Sequence, residues 1–241
     1  VFRSMIEECD RVFRSHGARW SLVEELTASE DRSRMQVTAI AQPAIFALQV
    51  ALAELWRSWG VVPTAVVGHS VGEVAAAYVA GALSFSDAAR VIFHRGRSMD
   101  LASSTGAMLG TSLTVGDAEE LLRGYEDRVS IAAINSSTSV TLSGDPVALT
   151  ALAKAMDERK IFNTFLRVNY AFHSPQMEPV RSDLLHSLNG IASEPTRIPM
   201  YSTVTGEQVD GKDLDAEYWW SNVRQTVRFA QAVNTIARNG W

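Results

Sequence analysis

In Gly68-His69-Ser70-Val71-Gly72 a serine stands between two glycines. The apolar run Ala65-Val66-Val67 precedes this stretch, and the helix formers Glu73-Val74-Ala75-Ala76-Ala77-Tyr78-Val79-Ala80 follow it. That order predicts a strand, a sharp turn and a helix, with the serine on the turn. The glycines allow the turn and the close approach of other backbone. Free N–H groups at the start of the helix favour negative charge developing beside Ser70. The chemistry that needs such a serine is nucleophilic attack on an acyl carbonyl. The alternative, a serine that only caps the helix, must also account for both glycines.

A serine nucleophile needs a base, and the chain holds five histidines: His16, His69, His94, His173 and His186. His16 and His186 read as solvated helix residues. His69 adjoins Ser70, so its ring should point away from the serine hydroxyl and shape the elbow or the pocket wall. His94 has Val91 and Ile92 as helical neighbours, which favours packing. His173 lies in the loop Tyr170-Ala171-Phe172-His173-Ser174-Pro175, and loops on rigid scaffolds are where catalytic side chains concentrate. It is the expected base. Arg95 falls on a helix with Ile92 and Met99, where a guanidinium can hold a carboxylate by two parallel hydrogen bonds. Arg90 and Arg97 lie close by, and pattern alone does not choose among the three. Gln42, before Pro43, reads either as a capping group or as a polar pocket contact. Asn135, ending an apolar stretch, reads either as a turn residue or as a site hydrogen-bonder.

The elements that must position these residues come from a chain of 241 residues, 46% hydrophobic and 20% charged. That is an ordinary soluble globular composition, with enough apolar material for a sizeable core. A net charge of −5 without a Lys/Arg cluster argues against nucleic acid. The one cysteine, Cys9, excludes an intrachain disulfide, and no Cys/His spacing suggests a metal. No apolar run approaches membrane-spanning length, and Val1-Phe2-Arg3-Ser4-Met5 does not open a signal peptide. A cytoplasmic location is expected. The ends, without an initiator Met and stopping at Asn239-Gly240-Trp241, read as those of a piece cut from a longer polypeptide.

Residues 1–60 read as helices. A long one runs from Pro43 to Trp59, with Ile45, Leu48, Leu52, Leu55, Trp56 and Trp59 on one stripe. It feeds the strand before Ser70, which is the order of a layered domain with a parallel sheet. Helices follow over residues 73–80 and 86–101, and Ser103-Ser104-Thr105-Gly106 reads as a linker. Residues 107–168 then read strand, helix, strand, strand, helix, strand, the split βαβ of ferredoxin-like folds. This predicts an α/β core over residues 1–105 and 169–241, with an inserted subdomain over 106–168. Helix 176–188, a strand over 197–203, a turn-rich connection over 206–212 and a helix over 218–238 complete the core.

The elbow Gly68-His69-Ser70-Val71-Gly72-Glu73 is joined by Ala80-Gly81-Ala82-Leu83-Ser84, Arg95-Gly96 and Tyr170-Ala171-Phe172-His173-Ser174-Pro175. With Gln42-Pro43-Ala44 and Tyr218-Trp219-Trp220-Ser221-Asn222-Val223, these resemble the acyltransferase domain of modular polyketide synthases, across essentially the whole chain. That family is related to the malonyl-CoA:acyl-carrier-protein transacylases. The resemblance implies a hydrolase-like parallel-sheet core with the ferredoxin-like insertion. It implies an acyl-serine intermediate formed from an acyl-CoA and discharged onto the phosphopantetheine thiol of an acyl carrier protein, with no bound cofactor. Neighbouring ketosynthase and linker domains are the implied partners. Ser70 matches the nucleophile and His173 the base of a Ser–His dyad, oriented by a main-chain carbonyl assigned to Asn222. Arg95 matches the arginine that pairs with the free carboxylate of malonyl-type units. The Val71 N–H matches an oxyanion donor, and Gln42, His69, Asn135, Tyr170 and Phe172 match pocket residues. Family members also carry a strand and a Gly-Gln-Gly loop ahead of the region matched here, and a strand with a Gly-Pro motif after it.

Within the resemblance, Phe before the histidine goes with malonyl, and Ser there with Tyr at the first position goes with methylmalonyl. Tyr170-Ala171-Phe172-His173 mixes the two. A bulky Phe172 fills the space of an α-methyl group, and Val71 rather than Gln points the same way, so malonyl is expected. The rival readings are a serine hydrolase and a non-catalytic docking module for carrier proteins. The first should show an HGGG-type motif and an acidic triad partner, and neither stands out. The second gives no reason to keep Ser70, Arg95 and His173 together.

Overall fold

The computed structural model describes residues 1–102 and 106–241. The expected linker at Ser103-Ser104-Thr105 and the expected boundary at residue 105 lie outside them. The N-terminal helices are α1 (Phe2–Ser15), α2 (Leu22–Thr27) and α3 (Thr38–Ser58). Strand β1 (Val66–Val67) leads through the elbow into α4 (Gly72–Ala80), which Gly81 ends in the left-handed region at φ 78°. Helix α5 (Phe85–Leu101) follows, capped by Ser84 Oγ on the Asp87 N–H at 3.0 Å.

The small sheet comprises β2 (Ala107–Thr111), β3 (Val129–Ser136), β4 (Ser139–Gly144) and β5 (Asn163–Phe165), with α6 (Val115–Leu121) between β2 and β3 and α7 (Pro146–Glu158) between β4 and β5. Its order is β3-β4-β2-β5, antiparallel at every pairing. The first and third strands are thus adjacent at its centre, the arrangement the split βαβ pattern requires. The chain then passes through a 3₁₀ turn at Pro175–Val180, α8 (Arg181–Ser187), β6 (Met200–Tyr201), β7 (Gln208–Val209), α9 (Ala216–Arg224) and α10 (Phe229–Arg238). In the larger body β1 pairs in parallel with β6, and β7 adds an antiparallel edge.

Two apolar clusters divide the burial. One gathers α1, α3, α4, α5 and α8 with α9 around Phe13, Phe46, Ile92, Met99 and Trp219. The other packs α6 and α7 on the small sheet through Leu109, Leu142, Leu149 and Met156. They are joined where β3 meets the segment between α9 and α10. Ile134 N–H donates to Val227 O and Val227 N–H to Ala132 O, both at 2.8 Å, and Thr226 Oγ donates to Ile131 O.

Several expectations need correction. Helix α3 starts at Thr38, so Pro43 lies inside it rather than at its first turn. The stripe from Ile45 to Trp59 does not face the core: Ile45, Leu48, Leu52, Trp56 and Trp59 are exposed, and the buried face is Ile40, Ala44, Ala47, Val50 and Ala51. The helix is apolar nearly all round, so periodicity does not choose its inner face, and close packing on α4 and α5 selects the small residues. Its 21 residues include an 18-residue window of mean hydropathy 1.4, long and apolar enough to cross a membrane by length and composition, contrary to the expectation for any run. Half of that stretch is buried in the core. His16 is not a solvated helix residue. It closes α1 with its ring stacked on Phe93. The helix expected over 218–238 breaks after Arg224, where Gln225 turns extended at ψ 160°.

Phe13 is fully buried, and its ring meets those of Trp20, Phe46 and Phe93 at 6.1–6.5 Å. Phe13→Ala should cost about 3–5 kcal/mol of unfolding free energy in urea titration. A loss below about 1 kcal/mol would contradict this packing.

Candidate active site

The elbow is shaped by backbone that only certain residues tolerate. A Cβ on Gly68 would fall 2.3 Å from Glu73 N and from Gly72 C and O, so no side chain fits there. Ser70 itself lies at φ 51°, in the left-handed region that non-glycine residues avoid. The turn is closed by Gly72 N–H on His69 O and Glu73 N–H on Ser70 O, both at 3.0 Å.

His173 comes from the other side of the cleft, also left-handed at φ 58° and 5% exposed. Its Nε2 is 2.8 Å from Ser70 Oγ. Its Nδ1 is 2.9 Å from the Gln225 carbonyl, so Nδ1 carries the proton and Nε2 faces the serine as acceptor. The expectation that Asn222 supplies this carbonyl is therefore corrected. A carbonyl inside α9 is directed along the helix axis, whereas the break at Gln225 turns that peptide outward. Burial, reinforced by the nearby Arg95 cation, pushes the His173 imidazole down to about 3. The ring is neutral and able to accept a proton at neutral pH.

Arg95 is 1% exposed. Its Nε donates to Asn222 Oδ1 at 3.0 Å, one terminal nitrogen to Gln42 Oε1, and the other to Ser70 Oγ at 3.0 Å. Burial lowers Arg95 to about 10, which leaves it charged at neutral pH. Among the described residues, these contacts use three of the five guanidinium donors. Structure thus separates Arg95 from Arg90, which bonds the Ser187 and Asn189 carbonyls, and from Arg97, which lies 4.0 Å from Asp183. Gln42 is held in turn by its amide on Met99 Sδ at 3.2 Å.

The other expected residues divide into two groups. His69 Nε2 bonds Asn135 Oδ1 at 2.8 Å, linking the elbow to β3, and its ring sits 5.2 Å from that of Phe229. Tyr170 and Phe172, three residues before His173 and adjacent to it, stack on each other with centroids 3.7 Å apart. His94 packs against Phe93 and His16, as its helical neighbours suggest. Among the described residues, no cluster of His, Cys, Asp and Glu could hold a metal ion.

Sequence reasoning missed Glu73, Thr203 and Gln225. Glu73 is fully buried and takes contacts from Thr203, Tyr218 and Asn222. The available signal was a lone carboxylate opening a helix otherwise built of Val, Ala and Tyr.

The chain matches the family model described as acyl transferase domain over residues 1–240. It is 43% identical over its whole length to erythronolide synthase EryA2 of Saccharopolyspora erythraea, of which it spans 7%. It is 41% identical to mycoketide-CoA synthase of Mycobacterium tuberculosis, of which it spans 6%. Among solved structures, the acyltransferase domain from module 8 of the salinomycin polyketide synthase superposes with a TM-score of 0.95 at 41% identity. That match covers all of this chain and 56% of the other. A loading acyltransferase from the avermectin modular polyketide synthase gives 0.93 at 34% identity, covering 99% and 76%. A malonyl CoA-acyl carrier protein transacylase from Clostridium perfringens shares the fold at 0.86 and 24% identity, covering 98% and 76%. The chain belongs to the acyl transferase domain family.

Proposed function

We propose that this chain is the acyltransferase of a polyketide synthase and moves a malonyl-type unit from CoA to the phosphopantetheine thiol of an acyl carrier protein. The observation that carries the reading is Ser70 Oγ held at once by His173 Nε2, at 2.8 Å, and by a buried arginine with spare donors, at 3.0 Å. Ser70 Oγ attacks the thioester carbonyl while His173 Nε2 takes its proton. The Val71 N–H meets the oxyanion, since the Gly72 and Glu73 N–H groups are already committed to the turn. The C–S bond breaks, His173 returns the proton to the departing CoA sulfur, and the acyl group is left as an ester on Ser70. The carrier's thiol then gives its proton to Nε2, and its sulfur attacks the ester. The C–O bond breaks and the proton returns to Ser70 Oγ.

Arg95 supplies selection. Its two free N–H groups face a malonyl carboxylate as a bidentate pair, whereas acetyl leaves them unpaired. Phe172, stacked on Tyr170, restricts the space for an α-methyl group, so malonyl is the preferred unit. Gln42, His69, Asn135 and Tyr170 complete the pocket. The core over residues 1–105 and 169–241 provides the elbow and base, and the inserted subdomain over 106–168 closes the cleft through Asn135. The neighbouring partners are a ketosynthase and its linker, and the setting is cytoplasmic.

Intact-protein mass spectrometry with equal malonyl-CoA and methylmalonyl-CoA tests this. A malonyl adduct lost in Ser70→Ala is expected. A methylmalonyl adduct would overturn the Phe172 argument. No adduct together with retained carrier binding would favour a docking module, and hydrolysis without transfer would favour a serine hydrolase.

Arg95→Ala should lower malonyl loading by about 10–150-fold relative to acetyl loading, the worth of one charge-assisted hydrogen bond. Equal losses for both would remove Arg95 from carboxylate binding. Because the folded His173 titrates near 3, the loading rate should stay level from about pH 8 to about pH 5, with no midpoint near 6.5. Stability moves differently. The unfolded histidine takes up a proton below about 6.5 and the folded one does not, so melting temperature should fall as pH drops through that range. A loading midpoint near 6.5 would show a solvated base.

A further inference from the structure

Glu73 follows Ser70 by three residues, and its side chain is fully buried. Its Oε1 accepts from Thr203 N–H at 3.2 Å and from Tyr218 OH, and its Oε2 lies 2.6 Å from Thr203 Oγ and accepts from Asn222 Nδ2 at 3.0 Å. Arg95 is the buried cation of the same network. Asn222, 3% exposed, stands between them. Its Oδ1 accepts from Arg95 Nε at 3.0 Å, and its Nδ2 faces both Glu73 Oε2 at 3.0 Å and the Ser70 carbonyl at 3.3 Å. Only this orientation of the amide works. The guanidinium offers donors alone, and the carboxylate and carbonyl both accept, so a flipped amide would set donor against donor.

We propose that Asn222, held by Glu73, is a positioning residue that sets the Arg95 guanidinium at a fixed offset from the nucleophile's backbone. Carboxylate recognition and acyl attack then share one frame of reference. The inference rests on the reading of Ser70 as the acylated nucleophile and Arg95 as the carboxylate receptor. Ser70 Oγ is met by His173 and Arg95, whereas Asn222 meets the Ser70 carbonyl. An arginine side chain has many rotamers, and Gln42 restrains only one terminal nitrogen. The Nε contact fixes the plane of the guanidinium, and the Nδ2 contact to Ser70 O ties that plane to the elbow. Glu73 keeps the amide from turning; burial raises its pKa, the hydrogen bonds from Thr203 and Tyr218 oppose that, and its charge favours the Arg95 cation.

The test compares loading of malonyl-CoA with loading of acetyl-CoA in the full-length natural protein, with melting temperature recorded for each variant. Asn222→Ala should reduce kcat/KM for malonyl about tenfold more than for acetyl, since only malonyl depends on the placement of the guanidinium. Asn222→Asp, of the same shape, should act in the same direction, because it keeps an oxygen on Arg95 and turns an acceptor toward Glu73 and the Ser70 carbonyl. Glu73→Gln, which keeps an acceptor for Asn222, should shift the ratio less than Asn222→Ala. If Asn222→Ala fails to fold, the Asn222→Asp ratio decides. Equal losses for both substrates, tracking the melting temperature, would overturn the positioning role and leave the acyltransferase reading intact. A wild-type protein that never acylates at Ser70 would overturn both.

Discussion

Everything at the site depends on one strained turn. Ser70 holds a left-handed backbone at φ 51°, and its neighbour Gly68 has no room for a side chain. Such a conformation costs about 1–3 kcal/mol and persists only where the surroundings over-determine it. Here they do. Thr203 Oγ lies 3.0 Å from Gly68 O, Asn222 holds the Ser70 carbonyl, and Glu73 binds both partners from the first turn of α4. The strained peptide is thus fastened to the loop after β6 and to α9, elements far away in sequence. The serine hydroxyl is left at the mouth of a helix, within reach of a base and a cation.

Buried charge is the second constraint. A guanidinium and a carboxylate removed from water are tolerated only with their hydrogen-bonding capacity met. Arg95 and Glu73 meet this condition through polar side chains between them rather than by direct contact. An arginine fully neutralised by a neighbouring carboxylate would have little attraction left for another. The Asn222 amide stands between cation and carboxyl, its Oδ1 on Arg95 and its Nδ2 on Glu73.

Much of this was legible in the chain. The elbow and its context follow from Gly68, Ser70, Gly72 and the apolar run before them, because a sharp turn between strand and helix has few sequence solutions. The small sheet was readable from strand and helix periodicity, with boundaries off by a few residues. His173 stood out among the histidines by its loop. What stayed hidden depended on distant contacts. By pattern alone Arg95 could not be told from Arg90 and Arg97, and only the resemblance chose it; the packing of α5 buries Arg95 and gives the other two partners elsewhere. The outward stripe of α3 misled because apolar residues surround that helix. The break after Arg224 was invisible because no Gly or Pro marks it. It is held by β3, through Val227 and Thr226.

That break has a mechanical meaning. Residues 225–228 form a joint between three parts of the molecule: the Gln225 carbonyl meets the ring of His173, Thr226 and Val227 are laced into the edge of the small sheet, and Arg228 N–H donates to Thr203 O. His69 and Asn135 bolt the same sheet to the elbow from the opposite side. The small sheet is thus fastened beside His173 on one side and beside Ser70 on the other. One small sheet therefore borders both side chains of the Ser70–His173 pair, which stand 2.8 Å apart.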